Sequence, residues 1–293
     1  MHPTLLPKRS RTAGRSREFE KGTRMHIRAG YELSFNPTQP TPILLLVSVH
    51  PSRAGDLLTP GFIGFDPPTP ARAYQDGFDN VCTRVLAPAG PFTVSTDFVT
   101  LDSGQPDEVA PNAVQHPVED LPDDVLVYLL GSRYCETDRL TDTAWSLFGH
   151  TRAGWDRVQS ICDFVHNHLT FNYQNARATR TAWEGYQERI GVCRDFAHLA
   201  VTFCRCMNIP ARYCTGYLGD IGVPPLDAPG DFSAWFDVYL SGRWYTFDAR
   251  HNVPRIGRIL MARGRDATDV AISTSFGSAP LTGFRVFTDE VPS

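Results

Sequence analysis

The chain has 293 residues and a formal net charge of −4, with 42% hydrophobic and 20% charged residues. This composition is typical of folded globular proteins and excludes a disordered or fibrous class, and the length suffices for two domains with separate cores. The acidic balance makes nucleic acid and anionic membranes poor partners, and no apolar run approaches the roughly 20 residues of a membrane-spanning helix.

The chain begins with a basic segment, residues 1–24, that holds seven Lys/Arg against two Glu. It lacks the apolar stretch of a secretory signal, so we expect a disordered tail, or a true start at Met25. The seven cysteines form an odd set without the spacing of a small disulfide-bonded domain. We therefore expect free thiols and a cytoplasmic location.

Residues 25–102 are predicted to form a small antiparallel β domain. Short apolar runs at 31–35, 43–49, 78–86 and 92–101 alternate with Pro and Gly, as in strands joined by tight turns. The stretch 103–124 is rich in Pro, Asp and Glu and shows little periodicity. We interpret it as an interdomain linker.

Residues 125–293 are predicted to form an α+β domain. Apolar residues fall on one helical face in 155–169 and again in 193–207. Strands are predicted at 211–218, 232–240 and 243–248, the last two joined by a turn at 241–242. Helices that precede antiparallel strands in the chain indicate the α+β class.

Three segments of this second half stand out. They are Gly191-Val-Cys-Arg-Asp-Phe-Ala-His-Leu-Ala200, then Ile209-Pro-Ala-Arg-Tyr213 with Gly216-Tyr217, then Asp231-Phe-Ser-Ala-Trp-Phe236 leading to Trp244-Tyr-Thr-Phe-Asp248. In this order and spacing they resemble the bacterial transglutaminase-like superfamily, and residues 25–101 resemble the N-terminal β domain of such proteins. The resemblance covers residues 155–248 of the core and implies a papain-like fold, with a Cys-bearing helix packed on an antiparallel sheet. It also implies thiol-dependent chemistry of the amidase, peptidase or protein-glutamine acyltransferase class.

The resemblance implies a triad of Cys, His and Asp, in which Cys193 and Asp248 match two positions. The residues support Cys193 independently, because free N–H groups and the dipole at a helix start favour a nucleophilic thiolate. The alternative is a small buried hydrophobe, as for most free cysteines.

The third position departs from the family. Family members carry His as the third residue of the Asp-Phe-His-Ala-Trp motif, where this chain has Ser233. With a two-residue turn after Leu240, Trp235 would face Asp248, and Ser233 would be a diagonal neighbour of Asp248 on one sheet face. A serine hydroxyl cannot exchange a proton near neutral pH as imidazole does, so loss of the base should cost about 10²–10⁴ in rate.

His251 is an alternative base, three residues after Asp248. Strict strand alternation points it to the opposite face, although a bulge or strand end would turn it back. The other histidines near these motifs are better explained as helix-surface, helix-end or core residues: His166, His168 and His198.

An oxyanion hole requires preorganised donors. The backbone N–H of Cys193 is one candidate and Trp183 or Gln187 the second, with Trp235 as a cleft wall, although each side chain fits a packing or solvated role equally well. Cys204 and Cys206 point about 200° apart on a helix and cannot chelate one ion. We expect no metal and no other cofactor.

Two functions remain open. The first is an enzyme in which Cys193 attacks an amide or peptide carbonyl and passes the acyl group to water or an amine. The second is a catalytically degenerate pseudoenzyme that retains the cleft and binds a peptide or protein partner, an interpretation that Ser233 favours. In either case the substrate or ligand is a peptide or protein.

Overall fold

A computed structural model describes residues 24–224 and 230–292. The predicted basic tail lies outside the described residues except for Arg24. The strands in chain order are β1 (Met25–Phe35), β2 (Thr41–Leu45), β3 (Gly64–Asp66), β4 (Ala71–Gln75), β5 (Val81–Ala87), β6 (Phe92–Asp102), β7 (Thr170–Phe171), β8 (Ile190–Gly191), β9 (Ala211–Tyr217), β10 (Ser233–Leu240), β11 (Arg243–Phe247), β12 (Ile259–Gly264), β13 (Ser273–Ser275) and β14 (Leu281–Val291). The α-helices are α1 (Asp123–Leu126), α2 (Thr137–Phe148), α3 (Trp155–His168), α4 (Ala182–Glu188) and α5 (Cys193–Cys206), and single 3-10 turns lie at Pro51–Asp56, Val118–Asp120, Val127–Leu129 and Tyr173–Asn175.

The N-terminal strands form two antiparallel sheets with the orders β14-β1-β6-β3 and β13-β2-β5-β4. Buried and less buried residues alternate along β6, which is the pattern of a strand with one face on a core. The two inner faces enclose a cluster that includes Tyr31, Phe35, Phe92 and Phe98.

The helices pack around α5, which is buried along nearly its whole length. The apolar face of α3 comprises Val158, Ile161, Cys162 and Val165, and it joins α5 in one core. This agrees with the amphipathic pattern of both segments. The helix α4 begins with a capping box formed by Thr181 and Glu184.

The third sheet has the order β11-β10-β9-β12, and α5 packs against it. Every residue of β9 and β10 is buried, because α5 lies on one side while Tyr217 and Met261 join the core of the N-terminal sheets on the other. The predicted hairpin register is confirmed at Leu240 and Arg243. The pairing ends at Phe236 and Phe247, however, so the predicted pair of Trp235 with Asp248, from which the diagonal position of Ser233 followed, does not form.

The end of the chain returns to the N-terminal sheets, a pairing that the sequence prediction did not include. The strand β14 pairs along β1, from His26 with Val291 to Phe35 with Leu281, and β13 pairs with β2. The segment 273–291 therefore completes the N-terminal sheets, although the prediction placed it in the C-terminal domain. Such pairing joins residues more than 200 positions apart, which local periodicity cannot indicate.

In the described part of the chain, no helix has the length and apolarity required to cross a membrane.

Candidate active site

Cys193 is the first residue of α5. All seven cysteines lie in the described residues, and six are buried while Cys193 is partly exposed. The short parallel pairing of β7 with β8 delivers the chain to this helix start. Cys193 is thus the cysteine best placed to react with a ligand.

The turn before Cys193 is held by Asp195. One carboxylate oxygen of Asp195 accepts the backbone N–H of Val192 at 2.9 Å, so it caps the helix from the first turn. A Cβ on Gly191 would lie 2.6 Å from the Cβ of Asp195, so only glycine fits there without displacement. The Gly-Val-Cys-Arg-Asp motif therefore fixes the position of the thiol.

A buried ion pair anchors this cap. The Nη1 atom of Arg180 donates to Asp195 at 3.0 Å, and their side chains are 4% and 1% exposed. Arg180 also donates to Glu188 at 2.9 Å, while Arg194 donates to the carbonyls of Arg177, Ala178 and Arg180. The loop before α4 is therefore fastened to the start of α5.

Asp248 and His251 lie together in a turn that follows β11. The carboxylate of Asp248 accepts the backbone N–H groups of Arg250 and His251 at 3.0 and 3.1 Å. Its second oxygen lies 2.8 Å from Nδ1 of His251. On the α3 side, Nδ1 of His166 lies 2.9 Å from the carbonyl oxygen of Arg250. The strand end thus turns His251 back towards Asp248, which was the alternative to strict alternation.

Asp248 has a further buried partner in Arg258. Its Nη2 atom donates to Asp248 at 3.0 Å, and its Nε atom donates to Asp107 at 2.9 Å. The Asp248 side chain is 3% exposed. Burial opposes its charge, but hydrogen bonds from His251 and the charge of Arg258 outweigh burial and hold the pKa of Asp248 well below its usual range.

A cavity of about 540 Å³ brings the two parts of the site together. Its wall includes chemically active side chains from several elements: Tyr173, Cys193, Asp231, Ser233, Arg250 and His251. One side is formed by residues 286–290 of β14, so the sheet that the chain end completes also closes the cavity. The thiol and an imidazole bonded to a buried carboxylate therefore face the same space.

The resting thiol is protonated at neutral pH. Burial, followed by the nearby charge of Asp231, raises the pKa of Cys193 to about 11, while Arg250 and the Ala234 N–H act in the opposite direction. Burial therefore opposes the thiolate form that the helix start is expected to favour. A neighbouring base would be needed to ionise this thiol at neutral pH.

Asp231 and Tyr173 form a second polar pair beside Cys193. Burial is the main reason that the pKa of Asp231 is raised, and a hydrogen bond from Tyr173 opposes this effect. Burial also raises the pKa of Tyr173 to about 12, with Asp231 and Cys193 contributing. The phenol therefore stays protonated, and its single O–H is used in the hydrogen bond to Asp231.

The proposed cleft residues lie elsewhere. Trp183 and Gln187 belong to α4; Trp183 packs against the helical core, and Gln187 is exposed. Trp235 is 3% exposed, and the guanidinium of Arg258 lies 5.0 Å from its ring centroid. None of these three side chains lines the cavity of Cys193. Ser233 does line it, at the start of β10.

Sequence reasoning missed Tyr173, Asp231, Arg250 and Arg258 as site residues. Of these, only Asp231 stood within a quoted motif, and the spacing of Asp248 and His251 was the one signal for a local acid-imidazole pair. For metals, the described residues contain no group of three or more His, Cys, Asp or Glu side chains arranged to hold an ion.

Comparisons with known proteins bear on the family and the fold of this chain. Residues 143–249 match the model of the Transglutaminase-like superfamily. An uncharacterized protein of Mycobacterium leprae (strain TN) is 40% identical over 88 residues, a match that covers 28% of this chain and only 30% of that relative. The crystal structure of a proposed cysteine protease from Cytophaga hutchinsonii is similar with a TM-score of 0.79 and 29% identity, and the match covers 92% of both chains.

A weaker likeness links the chain to the periplasmic domain of TgpA from Pseudomonas aeruginosa, at a TM-score of 0.34 and 16% identity over 80% of this chain and 77% of that one. The family match and the Cytophaga structure establish the class: the chain carries a transglutaminase-like domain of papain-like α+β fold, preceded by N-terminal β-strands. The predicted family and fold are confirmed.

Proposed function

We propose that this protein is a thiol-dependent amide or peptide hydrolase, or acyltransferase, in which His251 takes the place of the family histidine. Cys193 is the nucleophile, His251 the general base, and Asp248 the carboxylate that orients the imidazole. The observation that carries the proposal is the 2.8 Å bond from Asp248 to Nδ1 of His251, combined with the shared cavity of His251 and Cys193.

The bond to Asp248 assigns separate tasks to the two imidazole nitrogens. With Nδ1 protonated and donating to the carboxylate, Nε2 is left as the basic atom, which is the arrangement of a triad. Because the pKa of Asp248 is held low, the carboxylate remains ionised and stabilises the imidazolium that forms during the reaction. The raised pKa of Cys193 supports general-base catalysis, as opposed to a preformed thiolate.

The reaction follows from these roles. Nε2 of His251 takes the thiol proton as the sulfur of Cys193 adds to the substrate carbonyl, and it returns that proton to the leaving amine when the C–N bond breaks. The resulting thioester is then attacked by water or an amine, whose proton passes to Nε2 and onward to the sulfur as the thiol leaves. The backbone N–H of Cys193 is the candidate donor to the oxyanion.

A test compares four variants with the parent protein. Fluorescein-casein hydrolysis and dansylcadaverine incorporation measure the two acyl-transfer outcomes, and the rate of iodoacetamide alkylation at pH 7 measures thiol activation without a substrate. Cys193→Ser should abolish all three, His251→Gln should lower them by about 10²–10⁴, and Ser233→Ala should change them by less than tenfold. A parent-like His251→Gln protein would disprove the assignment.

The second candidate is the pseudoenzyme that binds a peptide or protein. The pKa of Cys193 near 11 favours it, since few molecules hold a thiolate at neutral pH. The fourth variant, Ser233→His, separates the candidates. If the parent shows no casein turnover and Ser233→His does, the pseudoenzyme explanation is correct.

A further inference from the structure

The pair of Asp248 and His251 is connected to the segment between β6 and α1 through buried charged side chains. Asp107 accepts the Nε–H of Arg258 at 3.0 and 2.9 Å through its two oxygens. The Nη2 atom of Arg258 donates to Oδ2 of Asp248 at 3.0 Å, and that same oxygen bonds Nδ1 of His251 at 2.8 Å. A line of four hydrogen-bonded side chains thus runs from this segment to the cavity: Asp107, Arg258, Asp248 and His251.

Each member of the line is fixed in place. The side chains of Arg258 and Asp107 are 8% and 14% exposed. Asp107 also donates its backbone N–H to the carbonyl of Arg255 at 2.9 Å and accepts the N–H of Arg255 at 2.9 Å. The stretch predicted as a linker is therefore attached to the loop that carries Arg258.

We propose that Asp107 and Arg258 are positioning residues that set the basicity of His251 through their contacts with Asp248. This inference rests on the proposed function, because it concerns the base of that reaction. Arg258 shares Oδ2 with the imidazole and offsets part of the negative charge that stabilises the imidazolium. Asp107 offsets part of the charge of Arg258 and thereby returns basicity to His251.

Other charges also face His251. Arg250 belongs to its own turn, Cys193 to the start of α5, and Tyr173 and Asp231 to the loops beside it. The cavity wall also includes Arg255 and Asp220, which are 3.7 Å apart, and Asp289 and Glu290 from β14. In contrast to these groups, Arg258 has its side chain bonded to the carboxylate that holds the imidazole. Loss of the Arg258 charge should therefore change the basicity of His251 more than loss of one of these other charges.

Substitutions of Arg258 and Asp107 should change the basicity of His251 in opposite directions. Arg258→Gln removes a positive charge beside Asp248, so the imidazole of His251 should become a stronger base. Asp107→Asn removes a negative charge and retains the acceptor for Arg258, so the imidazole of His251 should become a weaker base. Arg258→Lys retains the charge and should stay close to the parent.

The experiment is an NMR titration of the His251 ring protons in the full chain, with the signal assigned by its loss in His251→Gln. A matched control is Asp237→Asn, because Asp237 is a buried carboxylate bonded to Arg212 at 2.9 Å and has no bond to Arg258. This variant should leave the His251 midpoint unchanged. Signals of the other histidines report whether each variant is folded.

Midpoints that move in the two predicted directions, with Arg258→Lys unchanged, would support the inference. Equal midpoints in the parent and in folded Arg258→Gln would overturn it, as would shifts of the same sign in Asp107→Asn and Arg258→Gln. If one variant does not fold, the other and Arg258→Lys still decide. The titration needs no substrate, so failure of the proposed function would appear separately, as a parent-like His251→Gln enzyme.

Discussion

The carboxylate of Asp248 and the imidazole of His251 are joined by a 2.8 Å hydrogen bond within a single four-residue turn. The proposed acid and base, Asp248 and His251, are therefore only three positions apart in the chain. The turn also bonds two backbone N–H groups to the same carboxylate. The orientation of the His251 ring therefore depends on the geometry of this turn more than on sheet register.

The charges around the thiol should set its alkylation rate. Asp231 raises the pKa of Cys193 and Arg250 lowers it. Below that pKa the thiolate fraction changes tenfold for each pH unit, so Asp231→Asn should speed iodoacetamide alkylation at pH 8 by about 3–10-fold. Arg250→Gln should slow it. Mass spectrometry of Cys193 against pH provides the measurement, and equal rates in both variants would contradict the charge assignment.

Glycine at position 191 should be required for the cap of α5. Ala at this position would place its Cβ 2.6 Å from the Cβ of Asp195, so the carboxylate must move away from Val192. We expect Gly191→Ala to lower the free energy of unfolding by about 1–3 kcal/mol and to alter the alkylation rate of Cys193. Urea denaturation checks the first result.

A matched control for this substitution is Gly185→Ala. Gly185 lies in α4, where a new Cβ would lie 3.8 Å from Cδ of Arg180, an ordinary contact. Helix propensity should then leave stability unchanged or slightly raised. Similar losses in both variants would show that close approach to Asp195 is not the cause.

Removal of one partner from the buried pair of Arg180 and Asp195 should be costly. Asp195→Asn leaves the guanidinium of Arg180, which is 4% exposed, without its buried counter-charge. We expect a loss of about 3 kcal/mol in the free energy of unfolding. The control is Asp97→Asn, which breaks the exposed ion pair of Asp97 with Arg28. This variant should change the free energy of unfolding little. Equal effects would contradict the role of burial.

His198 should make the protein less stable in mild acid. It is fully buried; its Nε2 accepts the N–H of Ala267 at 3.1 Å, and its ring stacks on Tyr134. Burial lowers its pKa, so below the ordinary histidine pKa of about 6.5 the unfolded chain binds a proton that the folded chain refuses. The free energy of unfolding should therefore decrease as the pH is lowered below about 6.5, by at most about 1.4 kcal/mol per pH unit.

The measurement is urea unfolding between pH 5 and 7 for the parent and His198→Gln. The variant retains an acceptor for Ala267 and should show a shallower slope. His50, whose pKa burial also lowers, contributes the same sign in both proteins and cancels from the comparison. The carboxylates with lowered pKa are Asp97, Glu184, Asp248 and Asp266, and they lose their contribution only below about pH 5. Identical slopes would contradict the prediction.

Local patterns predicted much of this fold and part of its site. The helix that starts at Cys193 and the register of β10 with β11 follow from periodicity and a two-residue turn. The position of His251 was left open, because alternation holds only while a strand continues, and β11 ends at Phe247. The sequence also gave no signal for β14, whose partner β1 lies at the opposite end of the chain.

The sequence by itself determined the family resemblance and predicted the positions of Cys193 and of Ser233 in the motif, since these depend on residue identity and local spacing. Only the tertiary structure decided which imidazole stands beside Asp248 and that Arg258 and Asp107 continue the line behind it. The physical reason is that pKa values and hydrogen bonds depend on distance and burial. These are set by contacts between segments such as 102–107, 248–258 and the start of α5, which are remote in the chain and adjacent in space.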